Sequence, residues 1–498
     1  MNVNPITRLD YPDPDVIRVE DTYYMVSTTM HFMPGCEILQ SFDLVHWEHV
    51  TYVYETLDHT DAQQLKSGHN IYGQGMWAAS LRYHEGRFCI CFVANDTRKT
   101  YLYTSEKIDG PWKKQLIEGF YHDGSLLFDE DGRNYIVYGN DEIWITELNE
   151  DLTAPKKGGL HRLLVSDHKN PELGYEGSHI QKINGYYYIF LVHSLRDRWM
   201  RTEACFYSDS LEGEFTGGDV LCDDRGYCGQ GVAQGGIVDT PDGKWYAMLF
   251  QDSGAVGRIP ILLPVTWKDH FPFFGQNGHV PEEIEVHSTR PGYIYQPLVG
   301  SDDFCNGLLP RWQFNHDPDP RYYHLDALQG TYTITTREVC TELTQAVNTL
   351  TQRMSYPSCA AEVTVDASAL KEGDVAGLCA LQSCYAAVGI TKHHGKYEVL
   401  MLDKKEDGIL DMTEGTVVES HQMDFRLEAD FCNMKDEARC YYRVNKGDWL
   451  PIGTVHKLYF KLDHFTGCRF GLFCYAAEET GGSACFRDFK YYDVDEIS

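Results

Sequence analysis

A strand, a tight turn and a second strand recur five times in the first 250 residues, and that repetition leaves the chain few architectures. The first copy is LDYPDPDVIRVEDTYYMVSTT (9–29): carboxylates around a proline, an apolar run, a turn at Glu20-Asp21-Thr22 and a β-rich return. The other copies span 77–92, 123–138, 176–191 and 234–250, with turns at Glu85-Gly86, Asp131-Gly132, Asn184-Gly185 and Asp242-Gly243. The last three are Asx-Gly turns between β-rich runs, the strongest short-range hairpin signal, because Gly and Asn tolerate positive φ. The acidic or amide turn residues lie 64, 46, 53 and 58 positions apart. β-units at about this period read as the blades of a five-bladed β-propeller. Three copies are followed by a further strand and turn, QSFDLVHW (40–47), TSEKIDGPW (104–112) and YSDSLEGEF (207–215), as blades require.

Equal offsets from equivalent turns place residues at equal depth. Eight positions before the turn residue stand Asp13, Trp77, Asp123, Glu176 and Gln234. The first strand of a propeller blade lines the central axis, so these five side chains are expected around one pocket. Three are carboxylates, and crowded like charges raise one another's pKa, which is costly unless the site is used. In a chain with 74 Asp and Glu they could instead be hydrated strand-end acids. The shared register argues for a site.

The chain has 498 residues, too many for one core, so two domains are expected. Residues 1–290 form the propeller. The stretch 291–301, at the end of a Pro- and Gly-rich segment, reads as a linker. From 302 to 498 the texture is short strands between turns, such as GTYTITT (330–336) and AAEVTVDAS (360–368), the pattern of a β-sandwich accessory domain of jelly-roll or lectin type. No long helix is expected. The net charge of −31 argues against nucleic acid or an anionic membrane surface as partner. No apolar run reaches 18 residues, and the N-terminus lacks the basic and apolar regions of a signal peptide. The 16 cysteines form no CxxC pair, so free buried thiols and a cytoplasmic location are expected. Self-association is open for so large a β-surface.

Three carboxylates around one axis suit glycoside hydrolysis, which needs a proton donor for the leaving oxygen and a second carboxylate. An ordered set of stretches covers nearly the whole chain: YPDPDVIRV (11–19), TTMHFMPGCEILQSFDLVHW (28–47), GQGMWAA (73–79), HDGSLLFDEDGRNYIVYG (122–139), GYEGSHIQKINGYYYIF (174–190), GQGVAQGGIVDTPDGKWYAMLF (229–250), GAVGRIPILLPVTW (254–267) and DDFCNGLLPRWQFNHDPDP (302–320). On these stretches rests a resemblance to glycoside hydrolase family 43, the β-xylosidase and α-L-arabinofuranosidase-like members with a C-terminal β-sandwich. It implies Asp13 as general base, Asp123 as the residue that orients the acid and raises its pKa, and Glu176 as general acid. It also implies inversion, with base and acid carboxyls about 6.5–9.5 Å apart. Trp77 and Phe32 are expected as apolar walls of the sugar subsite. Arg258 matches a family arginine that bonds substrate hydroxyls, and His31 and His179 are candidate supporting donors. Two positions depart from the family pattern: Gly124 stands where Pro is common, and Gln234 where many members have a histidine that helps hold calcium. An amide oxygen can still ligate calcium, so Gln234 is a candidate ligand for an ion in the channel. No organic cofactor is expected.

The activity expected is an exo-acting β-xylosidase on xylooligosaccharides. An α-L-arabinofuranosidase, or an enzyme with both activities, is the second reading, and a non-catalytic carbohydrate-binding propeller the third. The intact Asp, Asp, Glu set argues against the last.

Overall fold

In the computed structural model, which describes residues 2–493, each hairpin grows into a four-stranded antiparallel blade with strands in chain order. Blade I comprises Asp15–Val19, Thr22–Ser27, Gly35–Ser41 and Glu48–Tyr54. Blade II comprises Met76–His84, Arg87–Ala94, Lys99–Ser105 and Lys113–Ile117. Blade III comprises Ser125–Phe128, Asn134–Asn140, Glu142–Leu148 and His161–Ser166. Blade IV comprises Glu176–Ile183, Tyr186–Ser194, Arg201–Ser208 and Thr216–Leu221. Blade V comprises Val232–Asp239, Trp245–Asp252, Arg258–Lys268 and Phe271–Phe274. The only helix among the described residues is four single 3₁₀ turns.

Two of the hairpin turns take the mirror-image form. Glu85-Gly86 and Asn184-Gly185 have positive φ at both positions, the I′ conformation that matches strand twist. The second strands are buried on both faces between neighbouring blades, so they read as continuous apolar runs; RFCICFVA of blade II is buried throughout after Arg87. Between blades IV and V, Tyr188 and Phe190 pack with Ala247, Leu249 and Ile261. The ring is clipped at its ends: Asn2–Val3 pairs with Glu283–Ile284, and Asn4 Nδ2 donates to the Leu262 carbonyl of blade V at 2.7 Å.

The second domain is a β-sandwich. Its seven-stranded sheet runs from Tyr323–Asp326 at one edge to Leu450–Lys457 at the other, through Ser483–Asp493 and Ser358–Asp366 at its middle. The facing nine-stranded sheet includes Val375–Leu381, Arg469–Tyr475, Leu350–Arg353 and Gln313–Asn315. Leu378, Val388, Phe425, Leu427, Phe470 and Leu472 fill the space between them. The ninth strand belongs to the other domain: Phe32–Met33, from the blade I crossover, pairs antiparallel with Gln313–Asn315. An edge strand presents unpaired N–H and C=O groups, and here the propeller supplies the partner.

The two domains are bound along that seam. Arg353 of the sandwich is buried on Glu37 of blade I at 2.8 Å and donates through Nε to the Asp10 carbonyl. Gln313 Nε2 donates to the Pro34 carbonyl at 2.6 Å. The expected linker is itself pinned to blade I: the Gln296 N–H and the Tyr293 hydroxyl both donate to the Glu48 carboxylate.

Candidate active site

Asp13, Trp77, Asp123, Glu176 and Gln234 line one pocket at the axial end of the inner strands. The backbone there is irregular in every blade. Asp13, Asp123 and Gln234 hold positive φ of 53°, 47° and 64°, a conformation that costs a non-glycine residue free energy and persists only where the surroundings fix it. The inner strands of blades II, IV and V slip register between Met76 and Ala79, Glu176 and His179, and Ala233 and Gly236. Such bulges re-aim side chains, and here they aim them at the axis. Gly177, at φ 65°, lets blade IV approach blade V, since a Cβ there would lie 2.8 Å from Gln234 Cγ.

Asp13 is held at both oxygens. The Thr28 hydroxyl donates to Oδ2 at 2.6 Å and Arg258 Nη1 to Oδ1 at 3.1 Å. Across the pocket Asp123 accepts the Gly177 N–H at 3.1 Å. Glu176 accepts from Asn140 Nδ2 at 2.7 Å. His122 joins the two: its Nε2 lies 3.6 Å from Asp123 Oδ2 and 3.5 Å from Glu176 Oε2. Burial, joined by the charges of Glu176 and Asp13, lifts the Asp123 carboxyl to about 6 against the opposing pull of His122. Burial works against a charged His122, but Asp123, Glu176 and Asp13 outweigh it and lift the imidazole to about 9. At neutral pH the cluster therefore holds an imidazolium between two carboxyl groups.

Trp77 stands in the pocket wall, with Phe465 at 5.7 Å and His122 at 5.8 Å between ring centres. Arg258 lines the pocket too, with Nη1 bound to Asp13 at 3.1 Å. His179 supports from beneath, on Asp15 at 3.1 Å. Phe32 and His31 are elsewhere, which corrects the expectation for both. Pairing of Phe32–Met33 with the sandwich turns Phe32 into the seam, fully buried, with Arg469 Cζ 3.5 Å above its ring. His31 is fully buried beside it, against His316, His464 and Tyr72. From this segment Met30 reaches the pocket.

Gln234 offers its amide to the channel, but its surroundings fit calcium poorly. That ion gathers six to eight oxygens. The nearby Glu203 accepts the Gln234 N–H, and among the described residues its buried Oε1 has no hydrogen-bond partner; these two side chains fall well short of that number. Further along the channel Asp15 is already paired with Arg82 at 2.8 Å. The Arg82 guanidinium also donates to Ser125 Oγ and the Leu126 and Ile180 carbonyls, a fixed positive charge spanning four blades.

The remaining wall comes from far along the chain. Phe460, Leu462 and Phe465 of the sandwich face a cavity of about 600 Å³. Arg258 Cζ lies 4.4 Å above the Phe465 ring. Asp10 sets both: Oδ1 accepts the Arg258 N–H at 2.7 Å and Oδ2 the Gly467 N–H at 2.8 Å. Sequence reasoning did not select His122, Asn140, Thr28 or Phe465. His122 had a signal, its place beside Asp123 in HDGS; the others lie off the inner strands, where no repeat fixes position.

A cavity lined by three carboxyl groups, each held by hydrogen bonds, has the groups that acid–base cleavage of a glycosidic bond needs. The chain matches the model of glycosyl hydrolases family 43 over residues 3–272, and that of the β-xylosidase C-terminal concanavalin A-like domain over residues 301–492. It is 26% identical to a β-xylosidase of Formosa agariphila, over 99% of this chain and 89% of the relative. It is 24% identical to a non-reducing end α-L-arabinofuranosidase of Bacteroides ovatus, over 82% of this chain and 79% of the relative. Among solved structures, a bifunctional GH43-CE protein of Bacteroides eggerthii superposes with a TM-score of 0.93 at 42% identity. All of this chain is covered, but it spans only 64% of that protein's length. The chain is a glycoside hydrolase and belongs to family 43.

Proposed function

We propose that this hydrolase removes single xylose units from the non-reducing end of short β-1,4-xylooligosaccharides, with inversion. The observation that carries the reading is the wall that the sandwich adds to the pocket through Phe460, Leu462 and Phe465. A pocket walled by a second domain admits a chain end and disfavours threading an internal bond.

Glu176, steadied by Asn140, donates its proton to the glycosidic oxygen as the bond to the anomeric carbon lengthens. Asp13, steadied by Thr28 and Arg258, takes a proton from the water that attacks the opposite face of the sugar. The oxocarbenium-like transition state is thus served from both sides. Asp123 and His122 fix the charge around the acid, and Trp77 offers an apolar face to the ring. No step needs a metal ion. We therefore expect chelation to leave turnover intact and calcium to leave the melting temperature unchanged; a rise with calcium would refute the poor fit read at Gln234.

The test is time-resolved NMR of xylotetraose hydrolysis. α-Xylose and xylotriose should appear first. Early xylobiose would mean endo cleavage, and β-xylose would mean retention. The second reading, release of α-L-arabinofuranose, is favoured by the Bacteroides ovatus relative. Rates on nitrophenyl β-xyloside and nitrophenyl α-arabinofuranoside separate the two. All 16 cysteines are free thiols, which supports a reducing, cytoplasmic setting for short, imported substrates.

A further inference from the structure

We infer that Arg201 binds the leaving-group sugar through its vicinal hydroxyls, with Trp199 beneath that sugar and Asp252 holding the guanidinium in place. The inference rests on the glycosidase reading and extends it to the far side of the bond. Arg201 begins the third strand of blade IV and lines the pocket. It is only 7% exposed. Its Nε donates to Asp252 Oδ2 at 2.8 Å, and among the described residues neither Nη1 nor Nη2 has a hydrogen-bond partner. With Nε engaged, the four Nη N–H donors of the planar fork are left for a ligand in the pocket that Arg201 lines. This fork is also rigid. Phe250, wholly buried, lies 5.2 Å from the guanidinium carbon, and Trp199 lies 5.3 Å from it.

Position identifies the ligand. In blade IV, Glu176 pairs with Val192, and Ser194, two residues on, pairs with Arg201. Arg201 therefore sits at the same end of the blade as the acid, two strands further from the axis. The acid touches the oxygen between the two sugars, so the sugar beyond it leaves past Glu176 toward Arg201. Trp199 is 44% exposed there and also lines the pocket. It occupies the short loop that Ser194 Oγ ties down by accepting the Met200 N–H at 2.8 Å. A fixed, half-open indole is a platform for a pyranose face. A uronate is disfavoured, because Asp252 already offsets the charge of Arg201 and Glu172 and Glu176 share the wall.

The experiment compares Arg201→Met and Arg201→Lys with wild type on two substrates of one glycone. Xylotriose carries a hydroxylated leaving group, and nitrophenyl β-xyloside carries none. Losing hydrogen bonds from a charged donor is worth about 10–100-fold. Arg201→Met should lose that factor in kcat/KM on xylotriose beyond whatever it loses on the nitrophenyl glycoside. Arg201→Lys should recover part of it. Equal loss on both substrates would make Arg201 a structural prop and overturn the inference, as would no loss on xylotriose. Preference for a uronate-substituted over a plain oligosaccharide would overturn the choice of ligand. If wild type cleaves the arabinofuranoside and not the xyloside, the xylosidase reading fails by itself. The comparison is then made with an arabinofuranosyl oligosaccharide and nitrophenyl α-arabinofuranoside, under the same criteria.

Discussion

The seam should fail in acid through three histidines. His31, His316 and His464 are fully or almost fully buried, with ring centres 4.8 and 5.1 Å from His31. Among the described residues, both ring nitrogens of His31 and His464, and Nδ1 of His316, have no hydrogen-bond partner; Nε2 of His316 accepts the Ile71 N–H at 3.0 Å. Tyr72, Phe32 and Asn315 face them, and Arg469 places a positive charge beside them. Burial first, then mutual repulsion and Arg469, hold His31 well below the usual imidazole range, and His464 is held down to about 3. Burial, with His464, does the same to His316.

A base with a depressed folded pKa is protonated first in the unfolded chain. Stability is therefore intact above the unfolded value of about 6.5 and lost as pH falls below it. Each such histidine adds a slope of ~1.4 kcal/mol per pH unit, and by pH 5 has removed ~2 kcal/mol. Three remove ~6 kcal/mol, a large part of the about 5–15 kcal/mol that holds a typical domain folded. Asp374 and Asp436, lifted by burial to about 6, bind protons on folding and offset part of this. The measurement must therefore be a difference. Urea unfolding of wild type, His464→Gln and His316→Gln between about pH 7 and 5 supplies it. Each variant should flatten the pH slope by ~1.4 kcal/mol per unit, so that its stability relative to wild type improves by ~2 kcal/mol at the acid end. Parallel slopes would show that the histidines already titrate in the folded protein, and would refute the reasoning.

Glu176→Gln and Asp13→Asn should each lose about 10²–10⁴ in turnover with unchanged melting. A leaving group of low pKa should partly rescue the first and not the second; equal response would refute this assignment of roles. The acid limb of kcat/KM should reflect the Asp123 group near 6. His122→Gln removes the cation that lowers it and should move the limb up by about one unit, the size of a neighbouring-charge effect; a limb that stays put would exclude Asp123 as its source. Residues 1–300 expressed alone would bare Phe32, Met33 and the His31 face. We expect aggregation or loss of most activity, and a soluble, fully active fragment would sink this account of the domain contact.

The five pocket positions were legible because a blade is a ruler. The length from turn to axis is fixed by strand geometry, so counting from Asp21, Glu85, Asp131, Asn184 and Asp242 located residues that meet only in three dimensions. The supporting groups were illegible for the same reason in reverse. Arg201 and Asp252 lie off the inner strands, and Phe465 belongs to a loop hundreds of residues from Asp13. Phe32 and His31 were misplaced because the local pattern of HFMPG gives no hint of a partner strand at Gln313–Asn315. Non-local pairing of so short a strand leaves no periodicity to read.

The strand Phe32–Met33 has a consequence for how such proteins can be recombined. A crossover in the connecting segment, at residues 291–301, looks like the natural place to exchange one accessory domain for another. It would leave the donor sandwich without its edge partner and the acceptor propeller with a strand cut for a different sheet. The heritable unit is therefore discontinuous: residues 30–37 travel with the sandwich, although the chain places them inside the propeller. A functional chimera would need two junctions within blade I and a third in the linker, and families of this design should diversify their pockets by point substitution more readily than by shuffling.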